Sequence, residues 1–400
     1  MRKLSIISFI IILGAVVMLS LAQTPQSSES SSNSDNSADR NTHQENTDSP
    51  NPEAKKIFLA LLLDTSNSMD GLIDQAKSQL WNVVDEMANA EHGGVPAELH
   101  IGLYEYGNDN LSILSGYVRQ VSPFTEDLDE ISTQLFALKT NGGSEYCGTV
   151  IKNALSNLEW SDDPEDLRMI FIAGNEPFDQ GAFSFETYCR KAKEQNTIVN
   201  TIFCGNYREG VNTYWEKGAH LGGGSYMNID MDQKTVYIAT PYDASIDSLN
   251  DVLNSTYIGY GATGRMRKEK QQIEDSNAAS YSTANKVKRA ISKSKHVYKN
   301  DSWDLVDAVK NNKVKVEDIN TDDLPQEMKS LTVEERKTYV ASKEIERKNV
   351  QMEINKLAGK RKTYITKAQK DSATNNELEN AILKSVKTKA IERSFTFKEN

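Results

Sequence analysis

Four hundred residues at a formal net charge of −11 hold enough chain for two or three domains. A composition of 38% hydrophobic and 26% charged residues is that of a soluble globular chain; it excludes a multi-spanning membrane protein, a collagen-like fibre and a wholly disordered polymer. Three cysteines exclude a disulfide framework and allow one bridge at most.

The charge is unevenly spread. Residues 261–400 carry 30 of the 46 Lys and Arg but only 21 of the 57 Asp and Glu, which leaves that stretch at +9 and residues 1–260 at −20. Opposite signs on two parts of a chain predict units with different partners, or units that dock on each other. The acidic part repels nucleic acid, and the basic part lacks the aromatic–basic interleaving that binds it, so no nucleic-acid partner is expected.

Arg2 and Lys3 precede an apolar run from Leu4 to Ala22 that closes on the small residues Ser20 and Ala22. Residues 1–22 read as a secretory signal peptide, with an uncleaved N-terminal anchor as the rival. Either exports the rest of the chain, to a periplasm, a cell surface or the medium; membrane contact is confined to residues 4–22 if they stay attached. Residues 23–54 contain no Leu, Ile, Val, Met or aromatic residue and read as a disordered polar linker.

From Lys55 the pattern changes. Ile57–Leu63 is an unbroken apolar run, the signature of a strand buried on both faces. Leu72, Ile73, Ala76, Leu80, Val83, Val84 and Met87 then recur at helical spacing. Strand-like runs follow at Leu99–Tyr106, Tyr117–Phe124, Met169–Ala173 and Ile198–Cys204. Helix-like periods lie at Leu128–Leu138, Val150–Leu158 and Tyr188–Lys193, and a last helix over Pro241–Tyr257. This alternation predicts an α/β, doubly wound, mostly parallel sheet, with ligands outside the carboxyl ends of its strands.

The first strand delivers Asp64-Thr65-Ser66-Asn67-Ser68 to that edge. One carboxylate and two hydroxyls in a D-x-S-x-S turn are hard oxygen donors, suited to Mg²⁺ or Mn²⁺, or to Ca²⁺, rather than zinc. The plainer alternative is that Ser66 or Ser68 caps the following helix.

With this motif between a buried strand and an amphipathic helix, residues 55–258 resemble a von Willebrand factor A domain. Gly142-Gly143-Ser144 matches the family's Gly-Gly-Thr loop, and Ala219 to Tyr226 its closing Gly-Gly turn before the last strand. The resemblance implies a metal-ion-dependent adhesion site in which Ser66 and Ser68 hold the cation directly and Asp64 holds it through water. Ser144 adds a hydroxyl, and a partner's exposed carboxylate fills an open position. The third loop departs from the family: Ala173-Gly174-Asn175-Glu176 stands where Thr-Asp-Gly is usual, so the expected Asp falls on Gly174. Glu145, Asn175 and Glu176 are the candidates to replace it.

In an exported chain, doubly wound topology makes Cys189 and Cys204 candidates for a bridge; three buried thiols are the alternative. No His has a recognisable spacing to Cys147, and no G-x-S-x-G, phosphate-binding Gly-rich loop or dinucleotide fingerprint occurs, so no enzyme is expected.

Residues 259–400 read as a basic α-helical region. A short capped helix is expected at Asp301–Val306 and a long one from about Val333 to Lys370, with Val340, Ile345, Met352, Leu357, Tyr364 and Ile365 as its apolar positions. A last helix is expected around Leu378–Ile391. The spacing holds no strict heptad, so a coiled coil and a packed helical bundle both remain open. The basic excess suits an acidic partner or an acidic neighbour in the same chain.

The function these readings imply is an exported binding or scaffold protein that recognises a protein partner through a divalent cation at the sheet edge. The alternatives are a structural assembly subunit with a decayed site and, from another class, a metal-dependent hydrolase using Glu145 or Glu176 as base.

Overall fold

The structure is a computed structural model describing residues 54–229, 238–281, 283–372 and 377–397. The expected signal or anchor segment, and the linker as far as residue 53, lie outside the described residues. Among the described residues no helix is long and apolar enough to cross a membrane.

Strand β1 (Lys56–Asp64) shows why the sheet forms. Ile57, Leu59, Leu61 and Leu63 belong to the core on one face, Ala60 and Leu62 to the core on the other, and all six are fully buried. Apolar residues at every position fit a strand covered on both sides. After β1 come α1 (Ile73–Met87), β2 (Ala90–His92), β3 (Val95–Pro96), β4 (Glu98–Tyr106), β5 (Val118–Thr125), α2 (Leu128–Ala137), α3 (Cys147–Asn157) and β6 (Leu167–Gly174). The α/β part then continues through α4 (Phe185–Glu194), β7 (Thr197–Cys204), α5 (Tyr207–Asn212), α6 (Trp215–Leu221), β8 (Gly223–Ile229) and α7 (Asp243–Ser255).

The six-stranded sheet has the order β5-β4-β1-β6-β7-β8. All its pairs are parallel except β4 with β5. The winding reverses at β1, which lies between β4 and β6, so the carboxyl end of β1 sits at the switch point where such sheets bind ligands. Helices α1, α2 and α7 cover one face; α3, α4 and α6 cover the other.

The basic part comprises α8 (Gly261–Tyr281), α9 (Thr283–Lys293), α10 (Leu305–Lys310), α11 (Gln326–Lys329), α12 (Val333–Ser372), α13 (Glu377–Ile391) and a short strand β9 (Phe395–Phe397). It is not an appendage. Val287 and Ala290 of α9, Ile354 and Leu357 of α12, Val386 of α13 and Phe395 of β9 join the same apolar core as Leu59, Leu61 and α1. Strand β9 pairs antiparallel with β2, closing a small second sheet of order β3-β2-β9. A satellite core of Ile258, Leu305, Val306, Val316, Leu324, Met328 and Val340 joins α10 and α11 to α12.

The charge asymmetry is resolved within the chain. Arg267 pairs with Asp127 at 3.2 Å, Arg289 with Asp129 at 2.8 Å, Lys295 with Asp85 at 2.8 Å, Arg361 with Asp243 at 2.9 Å and Lys387 with Glu86 at 2.5 Å. The basic helices thus dock on the acidic α/β part of their own chain. The half-exposed Arg267–Asp127 pair contributes about 0–1 kcal/mol, whereas Arg289–Asp129 and Arg361–Asp243 are buried pairs whose attraction is largely offset by desolvation, so apolar burial does most of the holding.

Helix α12 corrects the expectation built on its apolar residues. Ile345, Met352 and Tyr364 are exposed, whereas Val340, Arg347, Val350, Ile354 and Leu357 are buried. That stripe has 7, 3, 4 and 3 spacing, a heptad pattern that packs on α7, α9 and α10 rather than on a second copy of itself. Arg347 is central to it. Its Nη1 donates to Asp304 Oδ2 at 2.6 Å and Asp307 Oδ1 at 2.7 Å, its Nη2 to the Thr256 carbonyl at 2.7 Å, and the guanidinium lies 4.1 Å from the Tyr257 ring centroid.

Candidate functional site

Three loops meet at the carboxyl ends of β1, β4 and β6. The first, 65–72, leaves β1 and turns at Gly71, whose positive φ of 82° suits a residue without Cβ. The second, 139–146, is tied to the first by Asn67 N–H to the Gly142 carbonyl at 2.5 Å and Asn141 N–H to the Thr65 carbonyl at 2.9 Å. Asn108, just past β4, adds a bond from Nδ2 to the Lys139 carbonyl at 3.1 Å. The third loop follows Gly174.

Five of the expected site residues come together here: Asp64, Ser66, Ser68, Glu145 and Asn175. Asp64 is fully buried; its Oδ1 accepts from the Ser66 N–H at 2.8 Å, while Oδ2 has no hydrogen-bond partner. The Ser66 and Ser68 hydroxyls are 2.8 Å apart, and neither side chain caps a helix. Ser68 Oγ donates to Asn175 Oδ1 at 3.0 Å, and Asn175 Nδ2 returns a bond to the Ser68 carbonyl at 3.0 Å. Ser144 is partly buried in the second loop. Glu145 is buried to 6% exposure beside Asp64 and Ser66, a closeness that sequence spacing alone could not establish. Glu176 is engaged outside this group: its carbonyl takes the Trp215 indole N–H at 2.8 Å and its carboxylate the Gln180 amide at 3.4 Å, while its charge still acts on Glu145.

Burial and the neighbouring Glu145 charge push the Asp64 carboxyl up to about 7, with the Ser66 N–H opposing them. Burial, then Glu176, likewise raise Glu145. A buried carboxylate with an unpartnered oxygen, a second carboxylate, two hydroxyls and an amide oxygen form an all-oxygen donor set. The residues present therefore fit a hard divalent cation, Mg²⁺ or Mn²⁺ in preference to zinc.

In chelator the Asp64 contribution carries a distinct sign. The native carboxyl holds its proton up to about 7, while the unfolded one loses it near 4, so between these values the native state binds more protons. Stability should fall as pH rises through that window, by up to about 1.4 kcal/mol per pH unit. Asp64→Asn should flatten the slope in urea titrations run in EDTA at pH 4 to 7; an unchanged slope would disprove the assignment.

The candidate Cys189–Cys204 bridge is not formed, and the alternative of three buried thiols is what the structure has: all three cysteines are free and buried. Cys189 belongs to the core on the α3/α4 face and Cys204 to the core on the opposite face, so the sheet separates them. Burial also drives the Cys147 thiol well above its usual range, unlike an activated nucleophile.

At the other end of β4, Glu98, His100 and Glu126 bring three ligand-type atoms within 4.8 Å of one another. Lys299 Nζ already lies 3.7 Å from Glu98 and 3.4 Å from Glu126. Sequence reading passed this group over because its members are 2 and 26 residues apart, with no metal-binding spacing.

Residues 59–213 match the family model described as von Willebrand factor type A domain. No curated protein matches the chain. Solved structures similar to it include the conserved hypothetical protein BatB from Bacteroides thetaiotaomicron, at 15% identity, 44% of this chain, 90% of that one and a TM-score of 0.34. The SpRpn10 VWA domain is similar at 13% identity, over 45% of this chain and 91% of that one, with a TM-score of 0.35. Proximal thread matrix protein 1 from the mussel byssus, described with a zinc-occupied MIDAS motif, is similar at 12% identity, over 45% of this chain and 43% of that one, with a TM-score of 0.33.

Proposed function

We propose that this chain, which carries a von Willebrand factor A domain over residues 59–213, is an exported binding and scaffold protein whose sheet edge recognises a protein partner through a divalent cation. The observation that supports it most is the fully buried Asp64 with an unpartnered Oδ2, set beside the converging Ser66 and Ser68 hydroxyls. Desolvating a carboxylate with one oxygen unpartnered and no cation beside it is costly, and a bound cation offsets that cost.

Asp64, Ser66, Ser68 and Ser144 would hold the ion, with Asn175 as a neutral oxygen donor. When bound, the ion supplies a positive centre that attracts a partner's Asp or Glu. The chain's own residues fix the donors: the second loop's hydrogen bonds to Thr65 and Asn67 hold the first loop, and Asn175 orients Ser68. Export rests on the apolar run at 4–22. No group is placed as a nucleophile, so binding without turnover is the reading; von Willebrand factor A domains are mostly non-catalytic binding modules.

One observation favours a second reading, a structural subunit that uses no cation: the third loop offers Gly174 where the family's carboxylate stands.

Thermal unfolding of the full chain with Mg²⁺, Mn²⁺ or Ca²⁺, or with EDTA, distinguishes the two. A cation at about 100 times its Kd adds roughly 2.7 kcal/mol, a readily measured rise in midpoint. The rise is expected with Mg²⁺ or Mn²⁺ and should vanish in Asp64→Ala. No rise with any cation would leave the scaffold reading alone.

A further inference from the structure

We infer that Glu145, on the second loop, supplies the carboxylate that position 174 of the third loop lacks, making the cation site of this chain a two-carboxylate site. The inference rests on the reading that this edge holds a cation.

Position 174 of the third loop cannot carry a carboxylate. A Cβ built on Gly174 would lie 2.5 Å from the Tyr106 hydroxyl and 3.0 Å from both Cβ and Oδ2 of Asp64. Tyr106 is fully buried and its hydroxyl donates to the Ala173 carbonyl at 3.1 Å, so it cannot swing aside without breaking that bond. The space into which a side chain at 174 would project is filled.

Glu145 occupies the other side of the same donors. Two glycines make room for it: a Cβ on Gly143 would lie 2.2 Å from Glu145 Oε1 and 2.7 Å from Ser66 Cβ. One on Gly107 would lie 3.1 Å from Glu145 Cγ and 2.7 Å from Asp64 Oδ1. Glu145 is thereby wedged against Asp64 and Ser66. No Lys, Arg or His pairs with it among the described residues. Two buried carboxylates side by side, neither with a cationic side chain, match the charge of one divalent ion.

The test uses Mn²⁺ alone, titrated into the full chain and followed by calorimetry or by the electron paramagnetic resonance signal of the free ion. Glu145→Gln keeps the shape and removes the charge; Glu176→Gln removes the nearby third-loop carboxylate, which bonds to Gln180; Asp64→Asn removes the site itself. Glu145→Gln should weaken Mn²⁺ binding by about tenfold or more, and Glu176→Gln should leave it nearly unchanged. Unfolding in EDTA should show Glu145→Gln at least as stable as the parent, which separates lost binding from lost fold. If that variant fails to fold, Glu145→Asp, which withdraws the carboxylate by one methylene, replaces it with the same expectation. Unchanged affinity in the Glu145 variant, with binding abolished in Asp64→Asn, overturns this inference and leaves the cation reading standing. No Mn²⁺ binding by the parent chain overturns both.

Discussion

Arg347→Ala should destabilise the whole chain by about 3–5 kcal/mol in urea unfolding, the cost of breaking a buried ion pair from one side. Asp304 is fully buried and also serves the backbone: its Oδ1 accepts from Ile258 N–H at 2.7 Å, and its Oδ2 caps α10 through Asp307 N–H at 2.9 Å. Without Arg347 that carboxylate and Asp307 face each other uncompensated. Burial already pushes Asp307 up to about 6 with the arginine in place. Arg347→Lys should recover little, because an ammonium cannot reproduce the fork reaching Asp304, Asp307 and Thr256 together. A loss below about 1 kcal/mol would mean the network is not what anchors α12.

Asp275→Ala should cost a similar amount, about 3–5 kcal/mol, with a pH signature of its own. Asp275 accepts from Arg289 Nε at 2.5 Å, Lys293 Nζ at 2.8 Å and the Asn250 and Asn254 amides at 2.8 Å each. Burial pushes its carboxyl up, but Lys293 and Arg289 outweigh that and hold it at about 2. Its stabilisation is therefore present above the unfolded value near 4 and lost as pH falls toward 2. Lys293 is fully buried, and burial lowers it to about 8 against the pull of Asp275. Remove Asp275 and Lys293 should fall further, shedding its proton below pH 8 in the folded state alone. The deficit of the variant should thus be greatest in the neutral range below the new Lys293 value. It should shrink in acid below about pH 4 and again as pH approaches 8. Paired urea titrations from pH 3 to 9 would show it; a flat deficit would separate Asp275 from the titration of Lys293.

The α/β part was legible because its strands are apolar at consecutive positions and its helices are amphipathic. Ile57–Leu63 and Met169–Ala173 admit little else, and the D-x-S-x-S turn after the first of them marks the edge. The basic part was less legible for a physical reason. Its inward faces carry charge: Arg347 and Arg361 fall on the α12 stripe, and Arg289 and Lys293 sit on the buried side of α9. A pattern reader scores these as solvent positions and promotes Ile345 and Met352, which are exposed, to core. The acidic partners that make such burial tolerable lie up to 160 residues away. Within the site, the sequence named Gly174 as a departure but could not show that Tyr106 fills its space. It also could not rank Glu145 above Glu176, since the direction of each carboxylate is decided by tertiary packing.

The pairing of β9 with β2 sets an order of events for a chain made from its amino end. Strand β2 and helix α1 emerge early, but Phe395, which completes the core they border, emerges only after helices α2 to α13. Until then β2 presents an open edge, and apolar surface beneath α9, α12 and α13 stays wet. A growing chain therefore cannot reach its native state by folding its acidic part first and its basic part afterwards as independent pieces. Products cut short before α13 should be the ones that aggregate, and the stretch from α13 to β9 should resist proteolysis more than a free tail would.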